Sequence, residues 1–302
     1  MAGAAIRLDG LTKYYGPVVG LEQVTLEVEP GEVFGFLGAN GAGKTTTIRM
    51  LLDLLRPTSG AAFVLGMDCR RQGLDVRRRI GYLPGEMPIY PELTGSGYLT
   101  FLSSLGPSPP AAGKLEALFR RFDVSDVDLS RRMRDYSHGM KRKMGIIQAL
   151  MTGAPVLILD EPTSGLDPLM IEAFSETIDE LARAGETTIF LSSHVLSEVD
   201  RVCHRIGLIH NGRLGTVRSL SELRAATARR VVVTFARPVE LTVLPAGAVL
   251  IEHEPRRWVV EVTGPIGSLV AALSGLPVDD IEQTSFTLED VVLGLFAEAR
   301  GC

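Results

Sequence analysis

The spacing of apolar residues changes along this chain and predicts where its strands and helices lie. Apolar and polar residues alternate at 5–8 and 24–28, which is typical of strands with one buried face. Continuous apolar runs at 33–37, 156–159 and 188–191 predict strands that are buried on both faces. Helices are predicted at 44–55, 93–105 and 111–122. Strands that alternate with helices in this way predict an α/β fold.

The pattern also predicts two domains. Residues 1–224 carry the alternation of strands and helices, and about residues 86–152 among them form a predicted helical subdomain. From about Ala225 onward, short apolar runs alternate with Pro and Gly turns, which predicts a small α+β domain over 225–302. A length of 302 residues suits one main domain with one appended domain.

Composition and charge narrow the classes of function. The net charge of -5 argues against a nucleic-acid binder, which would normally carry a basic surface. No stretch reads as the continuous apolar helix of about 20 residues that a bilayer requires, and the first residues lack the apolar run of a signal peptide. Three widely separated cysteines form neither a disulfide framework nor a zinc pattern. We therefore expect a cytoplasmic protein that binds no nucleic acid.

A glycine-rich segment between a predicted strand and a predicted helix carries the first chemistry. Residues 38–45 read G-A-N-G-A-G-K-T and fit the pattern G-x-x-x-x-G-K-[ST]. Backbone N–H groups of such a loop bind a polyphosphate, the lysine adds a cation, and the threonine can hold Mg²⁺. Alone, the motif does not distinguish a kinase, a GTPase and a motor. The residues predicted to bind nucleotide here are Gly38, Asn40, Gly41, Gly43, Lys44, Thr45 and Thr46.

Two carboxylates follow the apolar run at 156–159. Ligands of α/β sheets bind outside the carboxyl ends of the strands, so Asp160 and Glu161 are expected to face the phosphates. Asp160, with Thr45, suits Mg²⁺, and Glu161 can polarise the attacking water. An isolated Asp-Glu pair is more commonly a solvated loop start, but the preceding buried strand favours the catalytic interpretation.

With further motifs in the same order, the chain resembles the ATP-binding cassettes of ABC transporters over about residues 4–220. Residues 136–140, Y-S-H-G-M, fall at the signature loop of that family, and residues 164–167, S-G-L-D, resemble its D-loop. His194 falls at the switch histidine, and Tyr15 falls where the family stacks an aromatic ring on adenine. On pattern alone, the histidine is an ordinary polar residue after a strand, and the tyrosine fills a core or turn.

The resemblance implies a function and partners. The cassette would hydrolyse ATP with Mg²⁺, with Glu161 and His194 as catalytic residues, and drive a separate transmembrane permease, in an exporter at the cytoplasmic face of the plasma membrane. Two cassettes, identical or different, would close head to tail around two ATP molecules. The signature residues would then contact the opposite ATP, near the D-loop Asp167, although on pattern alone the serine is a helix N-cap. The signature residues are Ser137, His138 and Gly139.

Two positions depart from the family pattern. His138 stands where the family often has glycine, and Gly85 stands where the glutamine of the Q-loop is expected. The neighbouring Glu86 either takes the place of that glutamine as a ligand for Mg²⁺ or is a solvated loop carboxylate. Residues 285–293 resemble the end of the accessory region of drug-export and other ABC-2-type ATPases.

The predicted fold is therefore a P-loop core of the ABC ATPase type with an antiparallel β-subdomain, an inserted helical subdomain and an α+β carboxy-terminal region. Three other functions are compatible with parts of this pattern. A soluble ABC protein acting on ribosomes or DNA would typically carry two cassettes or long coiled-coil insertions. A degenerate cassette that only binds ATP disagrees with the presence of Glu161 and His194. Another P-loop enzyme, such as a small-molecule kinase, leaves the signature and D-loop unexplained.

Overall fold

The computed structural model describes residues 3–88, 90–106, 109–111, 113–226, 229–240, 244–262 and 266–285. The chain divides into two compact units, Met1–Val217 and Arg218–Cys302. The domain boundary expected after residue 224 falls inside the helix Leu220–Ala226 of the second unit. The difference arises because the change in composition follows this helix, whereas the unit begins before it. Residues 286–293 of the proposed accessory motif lie outside the described residues.

In the described part of the chain, ten strands begin before the second unit, and the last of them ends just inside it. The strands are β1 (Ile6–Tyr15), β2 (Val18–Val28), β3 (Val33–Leu37), β4 (Ser59–Val64), β5 (Met67–Asp68), β6 (Ile80–Leu83), β7 (Val156–Asp160), β8 (Thr188–Ser193), β9 (Arg205–His210) and β10 (Arg213–Ser219).

Eight α-helices of the described part of the chain lie in the first unit. The helices are α1 (Lys44–Leu51), α2 (Gly73–Arg77), α3 (Gly95–Leu105), α4 (Lys114–Arg121), α5 (Asp126–Ser130), α6 (His138–Met151), α7 (Pro168–Ala184) and α8 (Leu196–Val202).

A six-stranded sheet, in the order β10-β9-β3-β8-β7-β6, forms the centre of the first unit. The neighbours from β9 to β6 pair in parallel, so their carboxyl ends meet at one edge. Every residue of β3, β7 and β8 is buried, as their continuous apolar sequences predict. The site described below lies where these strands end.

A separate antiparallel sheet, in the order β2-β1-β4-β5, packs with α1 against the central sheet. Its alternating apolar residues, such as Leu8 and Val24, join one core with Ile48 of α1 and Phe190 of β8. The ring of Phe190 stacks on Phe34 at 5.9 Å between centroids. This core fixes α1 and the loop before it relative to the parallel strands.

The predicted helices exist but end earlier or start later than expected. The helix predicted over 44–55 stops at Leu51, because Asp53 has a left-handed φ of 55° that a right-handed helix cannot continue. The helix predicted from residue 93 starts at Gly95, where the Thr94 hydroxyl caps it by accepting from Gly97 N at 3.1 Å. The stretch predicted to be helical, 86–152, contains α3 to α6.

The second unit contains α9 (Leu220–Ala226), α10 (Gly267–Leu273) and a four-stranded antiparallel sheet in the order β12-β13-β11-β14. Val233, Trp258, Val260 and Leu269 belong to its own hydrophobic core. The unit therefore holds its core within itself. Its strands are β11 (Arg229–Phe235), β12 (Ala248–Glu254), β13 (Arg257–Val262) and β14 (Val278–Ser285).

Candidate functional site

A cavity of about 460 Å³ lies between the loop after β3 and the carboxyl ends of β6 and β7. The structure brings most of the residues predicted to bind nucleotide or metal together in its wall. Gly38 lies against β9 instead, so close that a Cβ at this position would stand 2.5 Å from Ile209 O. The predicted residues that line the cavity are Asn40, Gly41, Gly43, Lys44, Thr45, Thr46, Glu86, Asp160 and Glu161.

The backbone of the loop requires glycine at two further positions. Gly41 and Gly43 have φ angles of 80° and 117°, which residues with a Cβ rarely adopt. A Cβ on Gly43 would also stand 2.9 Å from Gly20 O. The loop can therefore curve tightly into α1, where the helix N-terminus offers unpaired N–H groups to an anion.

Lys44 places a buried ammonium group in this cavity. Its Nζ donates to Gly38 O at 2.6 Å and to Ala39 O at 3.3 Å. The same atom lies 3.1 Å from Glu161 Oε1. The lysine is thus held by the carbonyl groups of its own loop and faces a carboxylate across the cavity.

Asp160, the last residue of β7, is held from two sides. Thr45 Oγ1 donates to Asp160 Oδ2 at 3.1 Å, and Ser192 Oγ donates to Oδ1. Ser192 was not predicted from the sequence as a site residue, and it lies opposite Asp160 in the parallel pairing of β7 with β8. Since both strands were predicted, a parallel alignment of their ends could have identified it.

Glu161 has a left-handed φ of 51°, which is unusual for a residue with a side chain. Its Oε2 lies 2.7 Å from His194 Nδ1, so the structure joins the two residues predicted to be catalytic. Its backbone N–H is fixed by Ser192 O at 3.1 Å. Oε1 is buried and receives no hydrogen bond from the described residues, so it keeps an acceptor site beside Lys44.

Gly85 and Glu86 lie at the same cavity, after β6. A Cβ on Gly85 would stand 3.3 Å from Asp160 Oδ2, so this backbone lies directly against the carboxylate. Glu86 is exposed at the cavity wall. The structure therefore places a carboxylate next to the position where the family pattern has glutamine.

The signature and D-loop residues lie together, outside the lining of this cavity. Ser137 caps α6, since its hydroxyl accepts from Met140 N at 3.2 Å, and the N-cap interpretation is confirmed. Asp167 caps α7 in the same way. The His138 ring lies over Gly165, where a Cβ would stand 2.2 Å from His138 Cδ2.

Tyr15 also lies outside the cavity lining, with 45% of its surface exposed. Its ring covers Gly20, where a Cβ would stand 2.6 Å from Tyr15 Cε2. The carbonyl oxygen of Gly20 in turn faces Gly43 of the phosphate loop. The exposed ring of Tyr15 thus lies next to the glycine-rich loop before α1.

Arg142 of α6 is a second residue that the sequence analysis missed. It is 2% exposed and binds backbone carbonyl groups behind the cavity, among them Asp160 O at 2.6 Å. Burial lowers the pKa of Arg142 to about 10, so its guanidinium is charged at neutral pH. No motif marks this residue, because a basic residue on a helix normally indicates a solvated face.

Comparison with known proteins identifies the family. Residues 21–164 match the ABC transporter family. The bacitracin transport ATP-binding protein BcrA of Bacillus licheniformis is 37% identical over 69% of this chain and 68% of its own length. The daunorubicin resistance ATP-binding protein DrrA3 of Streptomyces coeruleorubidus is 35% identical over 99% of this chain and 98% of its own. The chain belongs to the ABC transporter ATP-binding proteins.

Solved structures agree with this assignment. The cassette superposes on an ATP-binding subunit of an ABC transporter with a TM-score of 0.67 and 32% identity, over 73% of this chain and 92% of the other. A dimeric post-hydrolysis cassette bound to ADP and Pi gives a TM-score of 0.65 at 20% identity, over 71% and 98%, and shows the fold alone. The predicted P-loop fold of the ABC type is confirmed.

The cassette is therefore an ATP-binding subunit of an ABC transporter, and it hydrolyses ATP. Cassettes of this family dimerise and work with transmembrane permeases. Among the described residues, no helix combines the length and apolar content needed to span a bilayer.

Proposed function

We propose that this cassette powers an exporter through a separate transmembrane permease. The support is an identity of 35%, extending over 99% of the chain, with a daunorubicin resistance protein. Other relatives are named for bacitracin transport and Nod factor export. Two cassettes, alike or different, close around ATP on the cytoplasmic face of the plasma membrane. The support from the structure is a cavity in which Lys44 faces Glu161, with His194 in contact with the same carboxylate.

ATP binds with its phosphates on the loop before α1 and its adenine near Tyr15. Lys44 binds the terminal phosphates, while the backbone N–H groups of residues 40–46 surround them. Because Lys44 also faces Glu161 at 3.1 Å, a triphosphate competes with that carboxylate for the ammonium group. Glu161 Oε1 then accepts from a water molecule instead.

Thr45 and Asp160 fit a Mg²⁺ ion, which would neutralise the phosphate charge. Their oxygens lie 3.1 Å apart and are hard ligands of the kind that Mg²⁺ prefers. The described residues offer no cluster of three or more acidic, His or Cys ligands, which agrees with an ion bound largely by phosphates and water. Glu86 lies at the same cavity wall and is the further proposed ligand.

Glu161 acts as the general base of hydrolysis, and His194 orients it. The contact of 2.7 Å between His194 Nδ1 and Glu161 Oε2 leaves Oε1 for the water that attacks the terminal phosphate. His194 is half-exposed and can respond to the arrival of a second cassette. Removal of the water's proton by a positioned carboxylate is worth about 10²–10⁴-fold in rate.

The partner cassette completes the site. The N-terminus of α6 carries a positive dipole that attracts an anion, and Ser137, His138 and Gly139 lie at this end. We propose that these residues contact ATP held by the opposite cassette, with Asp167 at the same interface.

The proposal is tested by purifying the tagged full-length chain from detergent-solubilised membranes and identifying the proteins that remain bound. We expect a multi-spanning membrane protein in a stoichiometric amount, retained in high salt. Disrupted membranes from cells without the tag provide the control. Recovery of ribosomal proteins or DNA in place of a membrane protein would transfer the cassette to the soluble ABC proteins.

A further inference from the structure

Arg142 has an environment that its position on a helix does not explain. It projects from α6, and it is among the largest side chains that are completely buried. Burying a guanidinium is costly unless every donor is satisfied. A charged group is therefore retained inside the protein.

Its hydrogen bonds account for all of its donors. A guanidinium has five N–H groups in a fixed planar arrangement, and five backbone carbonyl oxygens receive them. Nε donates to Pro162 O at 2.9 Å. Nη1 donates to Pro84 O at 2.6 Å and Gly85 O at 3.2 Å. Nη2 donates to Asp160 O at 2.6 Å and to Glu161 O.

The first group of acceptors surrounds the strained residue of the site. Nη2 binds the carbonyl groups on both sides of the Cα of Glu161, whose φ is 51°. A residue with a side chain persists in this region only when its surroundings fix it, at a cost of about 1–3 kcal/mol. Together with Ser192, whose carbonyl oxygen accepts from the backbone N–H of Glu161, Arg142 thus holds this backbone with the carboxylate toward Lys44 and His194.

The second group of acceptors lies at the loop after β6, where Gly85 stands in place of the glutamine of the family pattern. Pro84 O and Gly85 O follow β6, and Gly85 lies against the Asp160 carboxylate. Without a glutamine side chain, this loop has no side chain of its own at that position with which to reach the cavity. The Nη1 contacts join it instead to the same guanidinium that holds the end of β7.

One side chain therefore connects both cavity loops to the helix that begins with the signature residues. We propose that Arg142 is a positioning residue for ATP hydrolysis, which holds Glu161 in its catalytic conformation and couples the 84–85 backbone to α6. This inference rests on the proposed role of Glu161 as general base.

The test compares Arg142→Lys with Lys143→Met in the full-length protein. Lysine keeps the charge but has three donors on one atom, so it cannot reach five carbonyl groups. We expect kcat to fall by about 10²-fold, the loss typical of a misplaced catalytic group, with little change in the KM for ATP. Lys143→Met removes the neighbouring contact to Asp123 O at 3.3 Å and should leave kcat unchanged.

A second measurement separates positioning from general stability. In a Glu161→Gln background, Arg142→Lys should cause no further fall in kcat, since the residue acts through Glu161. Both proteins are also followed by thermal unfolding. A loss of the same factor in both backgrounds, or wild-type kcat in Arg142→Lys alone, would overturn the proposal.

Two further outcomes remain distinct. If Glu161→Gln itself keeps wild-type turnover, the proposed role of Glu161 fails and the positioning role fails with it. If Glu161→Gln is slow and Arg142→Lys is unaffected, only the positioning role fails. Arg142→Gln, with two amide donors, replaces Arg142→Lys if the latter does not fold, and the same kcat comparison then decides.

Discussion

The cavity beside Lys44 and the signature segment, residues 136–140, belong to one unit but differ in the partners of their polar groups. In the cavity, Lys44 donates to its own loop and pairs with Glu161, and Asp160 accepts a hydrogen bond from Thr45. In the signature segment, Ser137 and His138 are exposed, and the serine oxygen only caps α6. The cavity is arranged in advance, whereas the signature segment presents a helix N-terminus outward. In the proposed dimer, half of a catalytic site would be complete in one chain, and the other half would face the partner cassette.

The largest effect on ATP turnover is expected at Glu161, whose side chain contacts both Lys44 and His194. Glu161→Gln should slow hydrolysis by about 10²–10⁴-fold, the loss of a general base, while ATP binding is kept. A stable ATP-bound dimer should then appear in size-exclusion chromatography. Glu172→Gln, which alters an exposed carboxylate of α7, serves as the matched control. Turnover near the wild-type level in Glu161→Gln would assign the base to another residue.

A smaller effect is expected from the signature segment. Ser137→Ala and Ser125→Ala each remove a helix cap, so both should lower the free energy of unfolding by about 1 kcal/mol. Only Ser137→Ala should also reduce turnover, by about 10- to 100-fold, if its hydroxyl binds a charged phosphate in the opposite cassette. Urea unfolding and steady-state ATPase assays measure the two effects. Equal turnover in the two variants would leave Ser137 as a cap alone.

A still smaller effect is expected at the edge of the cavity. Glu86→Ala should raise the Mg²⁺ concentration needed for half-maximal turnover by about tenfold, as loss of a supporting metal contact does. Glu92→Ala, which removes an exposed carboxylate paired with Arg132, is the control from the same loop region. A Mg²⁺ titration of the ATPase activity measures both. Unchanged Mg²⁺ dependence in Glu86→Ala would show that Glu86 is a solvated loop carboxylate.

The smallest effect on the cavity is expected from removing most of the second unit. A chain ending at residue 226 keeps β10 and α9 whole and should bind ATP with unchanged affinity, because every cavity residue lies upstream. A chain ending at residue 204 loses β9, the parallel partner of β3, and should not fold. Calorimetric titration with ATP compares the truncated and full-length proteins. Weaker binding by a folded chain ending at residue 226 would show that the second unit contributes to the site.

The sequence predicted the parts of the site that depend on local pattern. The glycine-rich loop and the strand ending at Asp160 follow from residues adjacent in the chain, and both appear as expected. Ser192 was missed because its role depends on the register between two strands. Arg142 was missed because its partners are backbone carbonyl groups, which any sequence supplies. Contacts of this kind arise only when distant segments pack together.

Helix ends were less predictable than the helices themselves. Asp53 ends α1 by adopting a left-handed conformation, and no glycine marks this position. The predicted domain boundary, after residue 224, differs from the division between the two units, after Val217, for a related reason. The composition of α9 resembles that of the first unit, but the helix belongs to the second unit. Apolar periodicity reports which residues are buried, not where a backbone changes direction.

The left-handed backbone of Glu161 has a consequence for how this protein can change. Glycine adopts a φ of 51° without the penalty of a Cβ, so Glu161→Gly relieves local strain of about 1–3 kcal/mol while removing the carboxylate. The backbone strain alone would therefore favour glycine, and an inactive enzyme, at this position, while the contacts of the carboxylate with Lys44 and His194 oppose the change. Any programme that screens variants by melting temperature should hold residue 161 fixed, because improved stability there signals lost turnover.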